Sequence, residues 1–225
     1  MSILNNIIVK RLICLLIGYI CGMFLSGYFY GKSKDVDLTK EGSGNVGTTN
    51  ALRILGIRAG AFTLLLDCLK TILACVIAYF LFRNNAGEEG VRILMAYAGF
   101  GAILGHDFPA FMKFRGGKGV ASTLGLVSVC FTICLPIAIV VFVLAVYLSR
   151  YLSLGSILGM SVLFVEAILF SIAGILPYKG TALLEAAVIL SLTAALSIFL
   201  HRSNIKRLLD GNENRFTFHP KNTKG

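Results

Sequence analysis

Residues 119–149 read GVASTLGLVSVCFTICLPIAIVVFVLAVYLS, an apolar run with no charged side chain. A hydrocarbon core about 30 Å thick takes about 20 helical residues, so the run is too long for one untilted helix and short for two. The charges on either side decide between them. Basic residues crowd Lys113 to Lys118 just before the run and Arg202 to Lys224 well after it, with apolar stretches at 154–176 and 181–200 in between. The positive-inside rule puts both clusters on the cytoplasmic side. An even number of crossings must then separate them, so 119–149 reads as a hairpin, with Pro136 near its midpoint, where a turn is best tolerated.

Working outward, three further spans lie at roughly 7–31, 57–82 and 91–110. The expected fold is therefore an all-α integral membrane protein of about seven transmembrane helices, the N-terminus outside and the C-terminus cytoplasmic. Helices four and five are then short. Lys10 and Arg11 flank the first span on its outer side, but Lys32, Lys34, Lys40, Arg53 and Arg58 follow on the other. The composition agrees: 56% of the 225 residues are hydrophobic and 14% charged, where a soluble domain is about one quarter charged. The run Leu12 to Tyr30 reads as a retained span rather than a cleaved leader, because it is long enough to cross and lacks a small-x-small site. We read residues 1–225 as one domain, the last dozen a polar tail. The six cysteines all sit in apolar runs without CxxC or Cys/His spacing, which fits apolar packing rather than a metal or a disulfide.

The formal charge of +10 is gathered in three polar segments. The first, EGSGNVGTTNALR (41–53), carries Gly42-x-Gly44-x-x-Gly47, the spacing of a dinucleotide fingerprint. The polar KSKDVDLTKE before it is no strand, and a membrane span begins at residue 57, so no βαβ unit fits. The glycines still permit positive φ and an anion nest of backbone N–H groups. Thr48 or Thr49 is expected to cap a short helix that Gly56 closes. Ser43, Asn45 and Arg53 add a hydroxyl, an amide and a fork suited to phosphate oxygens. A tight re-entrant loop without a ligand fits the same residues.

The second segment, GHDFPAFMKFRGGKGVAST (105–123), sets Lys118 among Gly116, Gly117 and Gly119. It is not a Walker A loop, since Met112 stands where that motif needs glycine. A basic juxtamembrane anchor is its alternative reading. In the third, HRSNIKRLLDGNENRF, His201 and Asn204 share a helix face and Gly211 ends the helix. Among charges inside spans, Asp67 and Lys70 at i, i+3 read as a structural pair, while Glu166 and Glu185 stay open. No His-x-x-x-x-Asp pair, G-x-S-x-G elbow or carboxylate cluster is present, so a transferase built on these residues works by positioning and electrostatics.

In register, GSGNVGTTNALRILG (42–56), GHDFPAFMKFRGGKGVAST (105–123) and HRSNIKRLLDGNE (201–213) resemble the PlsY family of membrane glycerol-3-phosphate acyltransferases. Thr48, Asp107 and the CGMFLSGY segment depart from the common pattern. The resemblance implies acyl transfer from a fatty acyl phosphate to the 1-hydroxyl of sn-glycerol 3-phosphate, giving lysophosphatidate and phosphate. It implies no cofactor and no metal. It places Ser43, Arg53 and Lys118 on phosphate groups, Asn45 and Thr49 in the first loop, and His201 and Asn204 closing the pocket. Glu213 would brace it, while Gly42, Gly44, Gly47, Gly116, Gly117 and Gly119 line the substrate loops. The expected setting is a bacterial cytoplasmic membrane, with the glycine-rich loops facing the cytoplasm and the enzyme that supplies acyl phosphate as a partner. Nucleic acid is not expected. The competing class is a transporter or binder of a phosphorylated metabolite, which would line a path through the bilayer midplane with polar residues and carry an inverted repeat.

Overall fold

The computed structural model of the protein describes residues 6–216, and every ordered element among them is helical. In chain order these are α1 (Ile7–Gly22), α2 (Ser26–Lys32), α3 (Thr48–Leu55), α4 (Ile57–Phe82) and α5 (Gly87–Asp107). They are followed by α6 (Val120–Cys130), α7 (Leu135–Ser149), α8 (Leu152–Ile172), α9 (Gly180–Leu200) and α10 (Arg202–Leu209). Five stretches are long and apolar enough to cross a membrane: 7–32, 57–82, 132–149, 152–172 and 180–200. Their outward faces are apolar, with Leu16 59%, Leu148 72% and Ile172 81% exposed, as expected where lipid rather than water is the solvent. Most of the expected polar tail lies outside the described residues.

The apolar run 119–149 does divide in two. Its break falls at Phe131 and a short 3-10 turn over Thr132–Cys134, ahead of Pro136. Proline opens α7 rather than making the turn, because in the first helical turn its missing N–H has no partner to lose. The two halves choose different neighbours: α6 packs against α4 and α5, and α7 against α8.

The tightest seam joins α1 to α5. A Cβ on Gly18 would fall 1.9 Å from the Ala98 carbonyl oxygen, and one on Gly101 would fall 2.3 Å from that of Leu15. Where lipid removes the hydrophobic drive between helices, such close backbone approach supplies the dispersion energy of association. The intramembrane charges are mostly paired. At the end of the bundle where α1 begins, Lys10 donates to the Asn85 carbonyl at 2.8 Å. Arg11 pairs with Glu185, which also accepts from the Tyr97 hydroxyl at 3.0 Å. Lys70 meets Asp67 at 2.9 Å. Glu166 differs, its buried carboxylate oxygens having no hydrogen-bond partner among the described residues. All six cysteines are free.

Candidate functional site

The opposite end of the bundle collects the three basic clusters. In the first loop Gly42 (φ 60°) and Gly44 (φ 69°) take the left-handed conformation that glycine permits without strain. Gly47 does not. At φ −84° it is the residue before α3, and its N–H donates to Asn45 Oδ1 at 2.9 Å. No threonine cap forms among the described residues: Thr48 already lies inside the helix, its buried hydroxyl without a partner there. Gly56 closes α3 as expected, with φ 87°.

Buried Asn50 organises this loop. Its Oδ1 accepts the Ser43 N–H at 2.9 Å, and its Nδ2 donates to the carbonyls of Leu38 and Glu41. Gly44 N–H donates to the Glu41 carbonyl. The expected nest has thus spent the N–H groups of Ser43, Gly44 and Gly47 on the protein itself. Helix geometry leaves the N–H groups of Thr48 and Thr49, in the first turn of α3, without intrahelical acceptors. One turn on, the hydrogen bond of Arg53 among the described residues is a 3.4 Å contact to Asn50 Oδ1, which leaves most of its five donors for a ligand. Burial lowers the Arg53 pKa, with Glu213 opposing that shift.

In the second loop the glycines serve packing. The N–H groups of Gly116 and Gly117 donate to the carbonyls of Asp107 and His106, both at 3.0 Å. A Cβ on Gly116 would fall 2.0 Å from the His106 carbonyl oxygen. These two residues hold the loop against the end of α5. Gly119, at φ 72°, turns the chain into α6. Lys118 is left projecting between them. Ser197 Oγ donates to its carbonyl at 2.8 Å, and its Nζ donates to Asn204 Oδ1. Asn204 Nδ2 donates to Glu213 Oε1 at 3.2 Å, and Glu213 also accepts from Arg207 at 2.9 Å. Asn45 Nδ2 donates to the Gly116 carbonyl, tying the first two loops across 71 residues of chain.

His201 is the junction between α9 and α10. Its Nδ1 lies 2.7 Å from the Ser197 carbonyl, which can only accept, so the proton sits on Nδ1 and Nε2 is left as an acceptor. Burial, then the nearby Lys118 ammonium, pushes this imidazole down to about 4. Burial, then Arg207, brings Lys118 down to about 8, with Glu213 opposing.

One cavity of about 600 Å³ joins these groups. Ser43, Arg53, Lys118, His201 and Asn204 stand on its wall, together with Asn45, Gly47, Thr49 and Gly119. Gly42, Gly44, Gly116, Gly117 and Glu213 do not line it. From this polar end the cavity runs between α6, α7 and α8, past Val127, Leu135, Ala138, Met160 and Leu163. Sequence reasoning missed Asn50, Ser197, Ser153 and Ser156, and it left His106 and Asp67 without a place at the site. The spacing of Asn50 three residues before Arg53 was the one available signal, since it puts both on one face of a short helix.

Comparison with known proteins agrees with this geometry. The family model described as glycerol-3-phosphate acyltransferase matches residues 12–211. A glycerol-3-phosphate acyltransferase of Thermoanaerobacter sp. is 37% identical over 201 residues, covering 89% of this chain and 92% of the relative. One of Shouchella clausii is 36% identical over 209 residues, covering 92% and 97%. The crystal structure of PlsY, an integral membrane glycerol 3-phosphate acyltransferase, in its glycerol 3-phosphate form superposes with a TM-score of 0.75 at 35% identity, covering 92% of this chain and 96% of that one. Its lysophosphatidic acid form gives 0.73 at 34% identity. With nearly its whole length matched in sequence and in fold, this chain belongs to the glycerol-3-phosphate acyltransferase family of PlsY-type integral membrane proteins.

Proposed function

We propose that the protein transfers a fatty acyl group from acyl phosphate to the 1-hydroxyl of sn-glycerol 3-phosphate, releasing lysophosphatidate and inorganic phosphate. The observation that carries this reading is the continuity of the cavity. A cationic end with Arg53 and Lys118 opens into an apolar arm between α6, α7 and α8. Phosphate groups of donor and acceptor fit the first, and an acyl tail fits the second. The hydroxyl oxygen attacks the acyl carbonyl carbon, and the bond from that carbon to the phosphate oxygen breaks. Phosphate is a good leaving group, so the protein's share is positioning and the stabilisation of charge on phosphate and carbonyl oxygens. Neutral His201 offers Nε2 as an acceptor that orients the hydroxyl. At about 4 its pKa is too low to hold the proton, which goes to the departing phosphate, the stronger base.

On this reading one domain carries about seven spans, its polar end faces the cytoplasm of a bacterial cell, and an enzyme making acyl phosphate supplies the donor. Purified protein mixed with acyl phosphate and glycerol 3-phosphate is expected to release phosphate only when both are present, with lysophosphatidate formed in equal amount. Acyl-CoA in place of acyl phosphate serves as the donor control. A folded sample that forms no lysolipid from acyl phosphate refutes the proposal.

A further inference from the structure

Asp67, Lys70 and His106 meet in the interior of the bundle, 1%, 6% and 3% exposed, and the acyl transfer described above uses none of them. Lys70 Nζ has three neighbours: the Phe24 carbonyl at 2.8 Å, Asp67 Oδ1 at 2.9 Å and His106 Nδ1 at 2.8 Å. Ser26 Oγ donates to the same Asp67 oxygen at 2.9 Å. An ammonium has three N–H donors and no lone pair, so three acceptors satisfy it completely. A neutral amine would instead leave the Asp67 carboxylate as a buried charge without a counterion, which is strongly unfavourable. Lys70 is therefore the ammonium and His106 Nδ1 an acceptor, which places the ring proton on Nε2.

That proton has somewhere to go. His106 Nε2 makes no hydrogen bond among the described residues, so its proton is available to a ligand. The ring edge lies against Gly117, where a Cβ would fall 1.9 Å from Nε2, and Gly117 directly precedes Lys118. His106 and Asp67 both stand on the cavity wall. Two histidines of opposite tautomer thus face one cavity: His201 presents an acceptor and His106 a donor. We propose that Asp67, Lys70 and His106 form a buried relay that fixes His106 as an N–H donor to a negatively charged substrate oxygen, with Asp67 and Lys70 as positioning residues. The inference rests on the acyltransferase reading, and the oxygen belongs either to a substrate phosphate or to the acyl carbonyl as it becomes an oxyanion.

The test uses the full chain in detergent micelles, with ¹⁵N-labelled histidine. The sequence holds three histidines, so His106 is assigned by the signal lost in His106→Asn. His106 is expected in the Nε2–H form, and its Nε2 signal should move when glycerol 3-phosphate or an acyl phosphonate is added. An Nδ1–H form, or a signal that neither ligand moves, overturns the proposal. His106→Asn keeps an acceptor for Lys70 but has no distal donor, so it should unfold at the native temperature and yet lose activity. A roughly 10- to 100-fold rise in one substrate's KM assigns the oxygen to that phosphate. A fall in kcat of about 100-fold or more at unchanged KM assigns it to the carbonyl. Native kcat and KM in His106→Asn overturn the proposal. If the variant does not fold, the ligand-induced shift in the native protein decides alone. A native protein that shows the shift but makes no lysolipid would sink the acyltransferase reading and leave the donor standing.

Discussion

Lys118 offers the sharpest test of the electrostatics. Burial among Arg53, Arg202 and Arg207 brings its pKa from 10.5 to about 8, a difference of about 3 kcal/mol between its two protonation states. The sign follows from linkage: the folded value lies below the unfolded one, so between about pH 8 and 10.5 the unfolded chain binds more protons. The cost of holding the ammonium is present in full below pH 8 and fades as the pH rises toward 10.5. Incoming phosphate offsets that cost, but only while Lys118 is charged. The free-enzyme profile, kcat/KM against pH, should therefore fall about tenfold per unit above pH ~8. The kcat profile should stay flatter, because bound phosphate restores the lysine's proton. Lys118→Arg should be slower at every pH, since a planar fork does not reproduce the point contact of the ammonium with Asn204 Oδ1. It should also lose the alkaline limb, since guanidinium does not titrate in this range. Phosphate release measured from pH 6 to 10 on both proteins gives the answer. A limb near pH 8 that survives in Lys118→Arg, or a native profile flat to pH ~9.5, refutes the reasoning.

Arg53→Ala should lower kcat/KM by about 100- to 1,000-fold, because its unspent donors are the best-placed phosphate fork on the cavity wall; near-native turnover in a folded variant would remove that role. Glu213 holds Asn204 and Arg207 and favours the charged form of Lys118, so Glu213→Gln should shift the alkaline limb of kcat/KM below pH 8. A limb that stays put or moves upward would contradict it. Gly159 lies in the apolar arm, where a Cβ would keep ordinary contacts of 3.5 Å or more with Ala138 and Phe142, so Gly159→Leu should fold and shorten the arm. Competition between acyl phosphates of different length should then favour shorter chains relative to the native protein; an unchanged preference would place the tail elsewhere.

Sequence by itself determined what depends on solvent and on neighbours a few residues away. The uncharged length of 119–149 forced a break because lipid cannot solvate an irregular backbone, and charge parity placed two helices where the structure has α6 and α7. Gly56 and Gly211 are legible as helix ends because a positive φ is a local demand. Tertiary structure alone decided the rest. The break sits at Phe131 rather than Pro136 because α6 and α7 pack on different partners. Gly116 and Gly117, which read as a phosphate cradle, are small so that they can lie on the end of α5, a contact that no local pattern encodes. Lys118 meets Asn204 across 86 residues, and Lys70 finds His106 across 36. Those pairings set which donors are spent and which protons move, because a hydrogen bond in a dry interior is governed by who stands within 3 Å rather than by who is next in the chain.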